Sequence, residues 1–170
     1  MKLTTNLWQL IGFGVTCIFG VLLHFLYEWT NLIIFLPFSC VNESTWEHMK
    51  IAFWPMFIFT IIQSFYFKDR EDFWYIKLKG IILGIVLIPI IFYTYNGVIG
   101  KSPDWINIAI FITCILIAFI YERNQLTMNS EYYLSAKVAI ILLCIIAGLF
   151  FIFSFKAPNL RIFIDPLTKK

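Results

Sequence analysis

Long apolar runs separated by short polar stretches dominate the chain. Five of these runs approach or exceed the roughly 20 apolar residues that an α-helix needs to cross a bilayer. They cover residues 7–27, 46–67, 74–95, 105–121 and 132–155. Tryptophan and tyrosine lie at nearly every boundary, as expected of rings that prefer the headgroup level. The pattern predicts an all-α integral membrane bundle of about five transmembrane helices, in one domain that covers residues 1–170.

A further apolar stretch, between the first two spans, is too short to cross a membrane. Residues 30–41 read TNLIIFLPFSCV, and Pro37 interrupts them. A stretch of this length is typical of an interfacial or re-entrant segment. We expect it to fold back over the ends of the neighbouring helices.

Composition supports a membrane protein and limits the kinds of partner that the chain is expected to have. Hydrophobic residues make up 61% of the chain and charged residues 14%, against roughly a quarter charged in soluble domains. A soluble domain of this length could not bury so much apolar surface in one core. The formal net charge of +3 is small and scattered, which argues against a nucleic-acid partner. The expected partner is the lipid bilayer.

The basic residues predict an orientation. Between the spans, six lie on the N-terminal side and two on the other side. Under the positive-inside rule the N-terminus is cytoplasmic and the segment 28–48 is extracellular. Lys77 and Lys79, two of the six, are expected to reach the interface by snorkelling from the start of the third span.

Two histidines and three glutamates are expected to lie at one membrane depth. His24 and Glu28 are one helical turn apart at the end of the first span, while Glu43, Glu47 and His48 open the second. In a two-helix hairpin, the end of one helix and the start of the next share a membrane face. The segment 28–48 contains no lysine or arginine, so a cation would be stabilised there. Imidazole and carboxylate together suit zinc, manganese or ferrous iron.

These residues suggest a metal site as one hypothesis. His24, Glu28 and His48 would bind a divalent ion such as zinc, and Glu43 and Glu47 are the candidate catalytic bases for metal-activated water. Polar residues expected nearby, as an outer shell, are Asn42, Ser44, Tyr93 and Asn96. The protein would then be a metal-dependent hydrolase or transferase acting on a lipid or other amphiphile. Whether it is an enzyme stays open.

Other interpretations fit the same residues. Ser44 and Glu47 have the spacing of a capping box that would begin the second helix, while His24 would hydrogen-bond locally. Tyr93 and Asn96 suit an aromatic belt followed by a turn. A proton-coupled small-solute transporter would use the histidines and glutamates as a relay, but no ionisable residue of the other half is expected to face them. A structural or accessory subunit would need no chemistry.

Several motifs resemble one known family. The runs LHFLYEW (Leu23–Trp29), VNESTWEHMKIAFWP (Val41–Pro55), FYTYNGVIG (Phe92–Gly100) and FIDPLT (Phe163–Thr168) are similar to motifs of the bacterial membrane domain-of-unknown-function family 6512. The resemblance covers nearly the whole chain. It implies a small multi-pass protein of the bacterial plasma membrane, and it implies no reaction. The family's distinctive motif falls on His24, Glu28, Asn42, Glu43, Ser44, Glu47 and His48.

Overall fold

The computed structural model describes residues 2–128 and 134–166, and those residues form helices and loops without a strand. The five α-helices are α1 Lys2–Thr30, α2 Thr45–Tyr66, α3 Phe73–Val98, α4 Asp104–Thr127 and α5 Ala136–Phe155. Each helix is long and apolar enough to cross a membrane. The predicted all-α bundle with five candidate spans is confirmed.

The helix ends differ from the predicted ones by a few residues. The largest differences are at the start of α1 and at the end of α4, which continues to Thr127 and so includes Glu122. Helix α5 begins at Ala136, because the Ser135 hydroxyl caps it by accepting a hydrogen bond from Val138 N at 3.5 Å. The first two residues of the predicted span, 132 and 133, lie outside the described residues, as do residues 167–170.

Helix α1 faces the bundle with small and polar residues. Its buried positions follow the three- and four-residue spacing of one helical face and are Thr5, Gln9, Gly12, Thr16 and Gly20. A Cβ atom at Gly12 would lie 2.5 Å from ring carbons of both Phe59 and Phe119. Glycine therefore allows α1 to approach α2 and α4 closely. Many large apolar side chains of α1 are exposed on its other face, while Trp8, Phe13 and Leu23 pack against the core.

Contacts between helix ends define two ends of the bundle. At the first, which we call the site end, Thr45 Oγ1 lies 3.2 Å from Tyr93 Oη and donates to Ile162 O at 3.2 Å. At the opposite end, Arg70 donates to Met128 O at 2.6 Å, which fastens the α2–α3 loop to the end of α4. Segments 31–44, 99–103 and 156–166 thus gather at the site end.

The predicted interfacial segment folds back at the site end. It contains a short 3-10 helix, Ile33–Phe35. The Ser39 hydroxyl donates to Leu23 O, and Trp54 Nε1 donates to Pro37 O at 2.8 Å, so the segment is tied to both α1 and α2. Its outward apolar side chains are Leu32, Ile33 and Ile34.

Lys77 does not snorkel, and that expectation is wrong. Its ammonium group donates to the Glu122 carboxylate and lies 5.3 Å from the centre of the Phe119 ring. Lys77 is 1% exposed and Glu122 0%. The pair forms because α4 continues past Tyr121 and brings Glu122 opposite Lys77. The half of the bundle away from the site end therefore holds a buried ion pair. Lys79, by contrast, stays partly exposed.

Candidate metal centre

His24, Glu43 and His48 form a compact cluster at the site end. One candidate ligand atom from each residue lies within 4.8 Å of the others. His24 Nε2 is 3.5 Å from Glu43 Oε1, and His48 Nε2 is 3.7 Å from Glu43 Oε2. Tetrahedral bonds of about 2.0–2.1 Å separate the ligand atoms of a zinc ion by about 3.4 Å. The two histidine–carboxylate separations, which involve different oxygens of Glu43, are close to that value, and the whole set lies within 4.8 Å.

The start of α2 explains why Glu43 turns toward the histidines. Asn42 Oδ1 accepts a hydrogen bond from Ser44 N at 2.9 Å, and Ser44 Oγ accepts one from Glu47 N at 3.4 Å. Ser44 is thus the N-cap of α2, and Asn42 shapes the turn before it. The Glu43 side chain takes no part in the cap. The capping interpretation therefore accounts for Asn42 and Ser44 but not for Glu43 or His48.

The hydrogen bond at the other ring nitrogen determines the tautomer of His48. Its Nδ1 lies 2.9 Å from Ser44 O. Because a carbonyl oxygen can only accept, Nδ1 carries the hydrogen and the neutral ring keeps a lone pair on Nε2. That lone pair faces the Glu43 carboxylate across 3.7 Å. Two electron-rich atoms in this arrangement repel each other unless a cation or a proton lies between them.

His24 is held less firmly than His48. Its Nδ1 atom is buried and has no hydrogen-bond partner within residues 2–128 and 134–166. Histidines that bind metals usually donate their second ring N–H to an acceptor, which fixes the ring. The ring of His24 packs 5.4 Å from that of His48 and 4.8 Å from that of Phe25. Packing and the contact of Nε2 with Glu43 thus orient the ring, while Nδ1 adds no hydrogen bond among the described residues.

Two of the predicted site residues lie outside this cluster. The side chain of Glu28 is exposed and is not part of the group of candidate ligands. Glu47 is buried, accepts a hydrogen bond from Val41 N at 2.9 Å and pairs with Lys50 Nζ at 2.6 Å. The Lys50 ammonium is fully buried and also donates to Leu36 O at 2.8 Å. Glu47 therefore serves to fasten segment 31–44 to α2.

A cavity of about 1040 Å³ opens beside the cluster, with Glu43 and His48 in its wall. The ends of α3 and α4 and the C-terminal segment form the rest of it. Apolar side chains that line it include Ile88, Ile110 and Phe111, while Lys101, Asp104 and Arg161 are its charged residues away from the cluster. The cavity thus combines an apolar surface with a charged one.

Tyr93 and Asn96, predicted as outer-shell residues, line this cavity and stabilise its walls. Tyr93 Oη donates to Arg161 O at 3.1 Å. Asn96 accepts from Ser102 N at 2.9 Å, and Ser102 Oγ donates to Asn107 Oδ1 at 2.6 Å. These bonds hold the α3–α4 turn and the C-terminal segment in place. Neither residue has a contact with His24, Glu43 or His48 among those found in the described residues.

Asp165 is a cavity residue that the site prediction did not include. It is buried, lines the cavity with Glu43 and His48, and its charge acts on Glu43. The ring of Phe163 packs 4.6 Å from that of Trp46, which holds this segment against α2. The motif FIDPLT carried the signal in the sequence, but nothing local indicated that its aspartate returns to the start of α2.

The pKa of Glu43 leads to a prediction for pH dependence. Hydrogen bonding to His24, helped by the charges of His24 and His48, holds the pKa of this carboxyl below its ordinary value of 4.5, although burial opposes the shift. A carboxyl whose pKa is lower in the folded than in the unfolded protein stabilises the fold at pH values above its unfolded-state pKa. This contribution is lost as the pH falls through the folded-state pKa. Metal-free wild type should therefore lose more thermal stability than Glu43→Gln as the pH falls below about 4.5, the range in which this carboxyl takes up its proton. Thermal unfolding in detergent measures this, and equal losses would contradict it.

Comparison with known proteins gives a family and no activity. A family model described as a family of unknown function (DUF6512) matches residues 1–170. No curated protein and no solved structure matches the chain.

Proposed function

We propose that this chain, which belongs to the family of unknown function DUF6512, binds a divalent transition-metal ion at His24, Glu43 and His48. The ion would activate water for hydrolysis or group transfer on an amphiphilic substrate in the membrane. The observation that carries the proposal is the position of His48 Nε2, 3.7 Å from Glu43 Oε2 in a ring whose Nδ1 is bonded to Ser44 O, beside a large cavity.

The donor set favours a metal ion of the zinc class. A cation between His48 and Glu43 turns their repulsion into attraction, and His24 supplies a second imidazole. Two nitrogen donors and one carboxylate suit zinc and its neighbours better than magnesium or calcium. Three protein ligands also match catalytic zinc sites, which keep a fourth position for water or substrate. Glu43 replaces Glu28 as the proposed carboxylate ligand.

The cavity suggests the class of substrate. Its volume of about 1040 Å³ is at the upper end of the roughly 300–1,000 Å³ of small-molecule sites. Ile88, Ile110 and Phe111 offer an apolar surface within the helical region, while Lys101 and Arg161 lie among the segments at the site end. A lipid or similar amphiphile would place its hydrocarbon against the first surface and its polar group near the cluster.

The contacts of the carboxylates around the cluster suggest which of them acts as the base in the proposed reaction. A bound divalent ion would lower the pKa of water to about 7 and so supply a nucleophile. Glu47 is engaged by Lys50 and by Val41 N, which disfavours it as a base. Asp165 lines the same cavity as Glu43 and His48, and its charge acts on Glu43. It is the candidate acceptor for the proton of that water.

Zinc binding by three forms of the protein tests the metal site. Wild type should hold about one zinc per chain, and Glu43→Gln should weaken binding more than about tenfold, the lower end of the cost of losing an outer-shell partner. The matched control is Glu28→Gln, an exposed glutamate near the same loop, which should bind as wild type does. Elemental analysis and chelator competition on detergent-purified protein measure both. Absence of zinc from wild type, or equal losses in both variants, would contradict the proposal.

We propose that the site end is extracellular in a bacterial plasma membrane and that the N-terminus is cytoplasmic. The buried Lys77 and Lys50 are neutralised by Glu122 and Glu47. Without them, five basic residues between spans remain at the opposite end and one, Lys101, at the site end. The bias that supports a cytoplasmic N-terminus persists.

A proton-coupled transporter is the second candidate function. The buried Lys77–Glu122 pair favours it, since ionisable residues inside membrane bundles often belong to proton relays. Solute flux into proteoliposomes that is lost in Glu122→Gln and unaffected by zinc chelation would favour transport over hydrolysis.

A further inference from the structure

Three helices meet at one level of the bundle interior. A Cβ atom at Gly12 of α1 would lie 2.5 Å from a ring carbon of Phe59 in α2 and of Phe119 in α4. These three residues therefore occupy the same depth. They provide a fixed reference from which the next helical turn can be located.

One turn toward the opposite end, each of these helices carries a buried polar side chain. Gln9 precedes Gly12 by three residues, Gln63 follows Phe59 by four, and Glu122 follows Phe119 by three. Exposure of these three side chains is 3%, 0% and 0%. Lys77 of α3 completes the set through its bond to Glu122. We call Gln9, Gln63, Lys77 and Glu122 the polar layer.

The polar layer contains more hydrogen-bonding atoms than its own members satisfy. Both side-chain polar atoms of Gln9, together with Gln63 Oε1 and Glu122 Oε1, are buried without a partner in the part of the chain that the structure describes. Gln63 Nε2 donates to Trp8 O at 3.5 Å, a long bond. Buried polar atoms in native proteins are almost always paired with protein groups or ordered water. Four such atoms at one level therefore indicate a bound ligand.

The chemistry of the layer selects that ligand. An added cation would be repelled by Lys77 and an anion by Glu122, and the two together are neutral. The unpaired atoms include three acceptors and the amide donor of Gln9, so the ligand must both donate and accept. We propose that the polar layer is an internal water-binding site that hydrates the Lys77–Glu122 pair. A buried water makes about three hydrogen bonds, so the layer would hold about one or two molecules.

Radiolytic labelling in H₂¹⁸O tests this site independently of the metal. Hydroxyl radicals formed from internal water oxidise the nearest side chains, and mass spectrometry locates the ¹⁸O. Phe59 and Phe119, which lie one helical turn from the polar layer, should be labelled at least several-fold more than Phe53 and Phe150, which are buried elsewhere in the same apolar core. Labelling of Phe119 no higher than that of Phe53 would overturn the proposal.

A substitution and an exchange of salts test further whether the polar layer is the water-binding site. Gln9→Leu removes two of the four unpaired atoms and should lower the labelling of Phe119, while Phe53 stays unchanged. Unaltered labelling in a folded Gln9→Leu protein would count against the layer as the water site. If sodium in place of choline suppressed the labelling, a cation would occupy the site and the proposal would be wrong. Should the variant not fold, the wild-type comparison of Phe119 with Phe53 decides alone.

Discussion

Replacing Glu122 by alanine is expected to destabilise the protein by about 3–5 kcal/mol, the usual cost of leaving one charge of a buried pair uncompensated. Lys77 is 1% exposed, and the Glu122 carboxylate is its ion-pair partner. Once the carboxylate is gone, its ammonium group must lose its proton or draw in water. Either route costs folding free energy. Unfolding by SDS titration in mixed micelles measures the change.

Two variants give this measurement its controls. Asp69→Ala removes an exposed carboxylate from the α2–α3 loop and should change stability by less than about 0.5 kcal/mol. The double variant Lys77→Met/Glu122→Leu removes both charges and should recover most of the loss, because apolar replacement of a whole buried pair is often neutral. If the double variant were less stable than Glu122→Ala, the buried charge would not be the cause of the loss.

His48→Ala is expected to lower zinc affinity more than about 100-fold, the upper end of the cost of losing an outer-shell partner. The substitution removes a ligand whose lone pair the Ser44 carbonyl has already oriented. His24→Ala should cost less, because no hydrogen bond holds its second ring nitrogen in the described part of the chain. The order of the two losses therefore tests the tautomer argument as well as the ligand set.

Thermal shift gives a second readout for the same variants. Zinc at 100 times its dissociation constant would stabilise the wild type by about 2.7 kcal/mol, and the same concentration should leave His48→Ala almost unshifted. Unfolding of the metal-free proteins shows whether His48→Ala is folded. A greater loss in His24→Ala than in His48→Ala would contradict the assigned geometry. If both variants bound zinc with wild-type affinity, His24 and His48 would not be metal ligands and the proposed metal centre would be wrong.

The five helices could be predicted because bilayer thickness fixes the length of an apolar run. The predicted spans 46–67 and 74–95 differ by at most three residues at either end from α2 and α3. The end of α4 was harder to locate, since the polar run after Tyr121 resembles a loop although it continues the helix to Thr127. That difference is why Glu122, and with it the partner of Lys77, was not anticipated.

The membrane depth of the cluster could be predicted from the sequence, but the full set of side chains that form it could not. Hairpin topology alone brings His24, Glu43 and His48 to one membrane face, and the structure places them together. Which glutamate faces inward depends on side-chain direction. Glu28 points outward, and Glu47 turns to Lys50 three residues away. The spacing Glu47-x-x-Lys50 suits a pair on one helical face, so this contact could have been recognised. The return of Asp165 required the tertiary fold.

The short span of sequence that carries the cluster has a consequence for the order of biosynthesis. His24, Glu43 and His48 all come from the first two helices and the segment between them. Contacts so close in sequence form quickly, because little loop entropy opposes them. The ligand set can therefore assemble as soon as the α1–α2 hairpin has left the translocon. The cavity beside it must wait for α3, α4 and the C-terminal segment, so a nascent chain would acquire its proposed metal ligands before the cavity beside them.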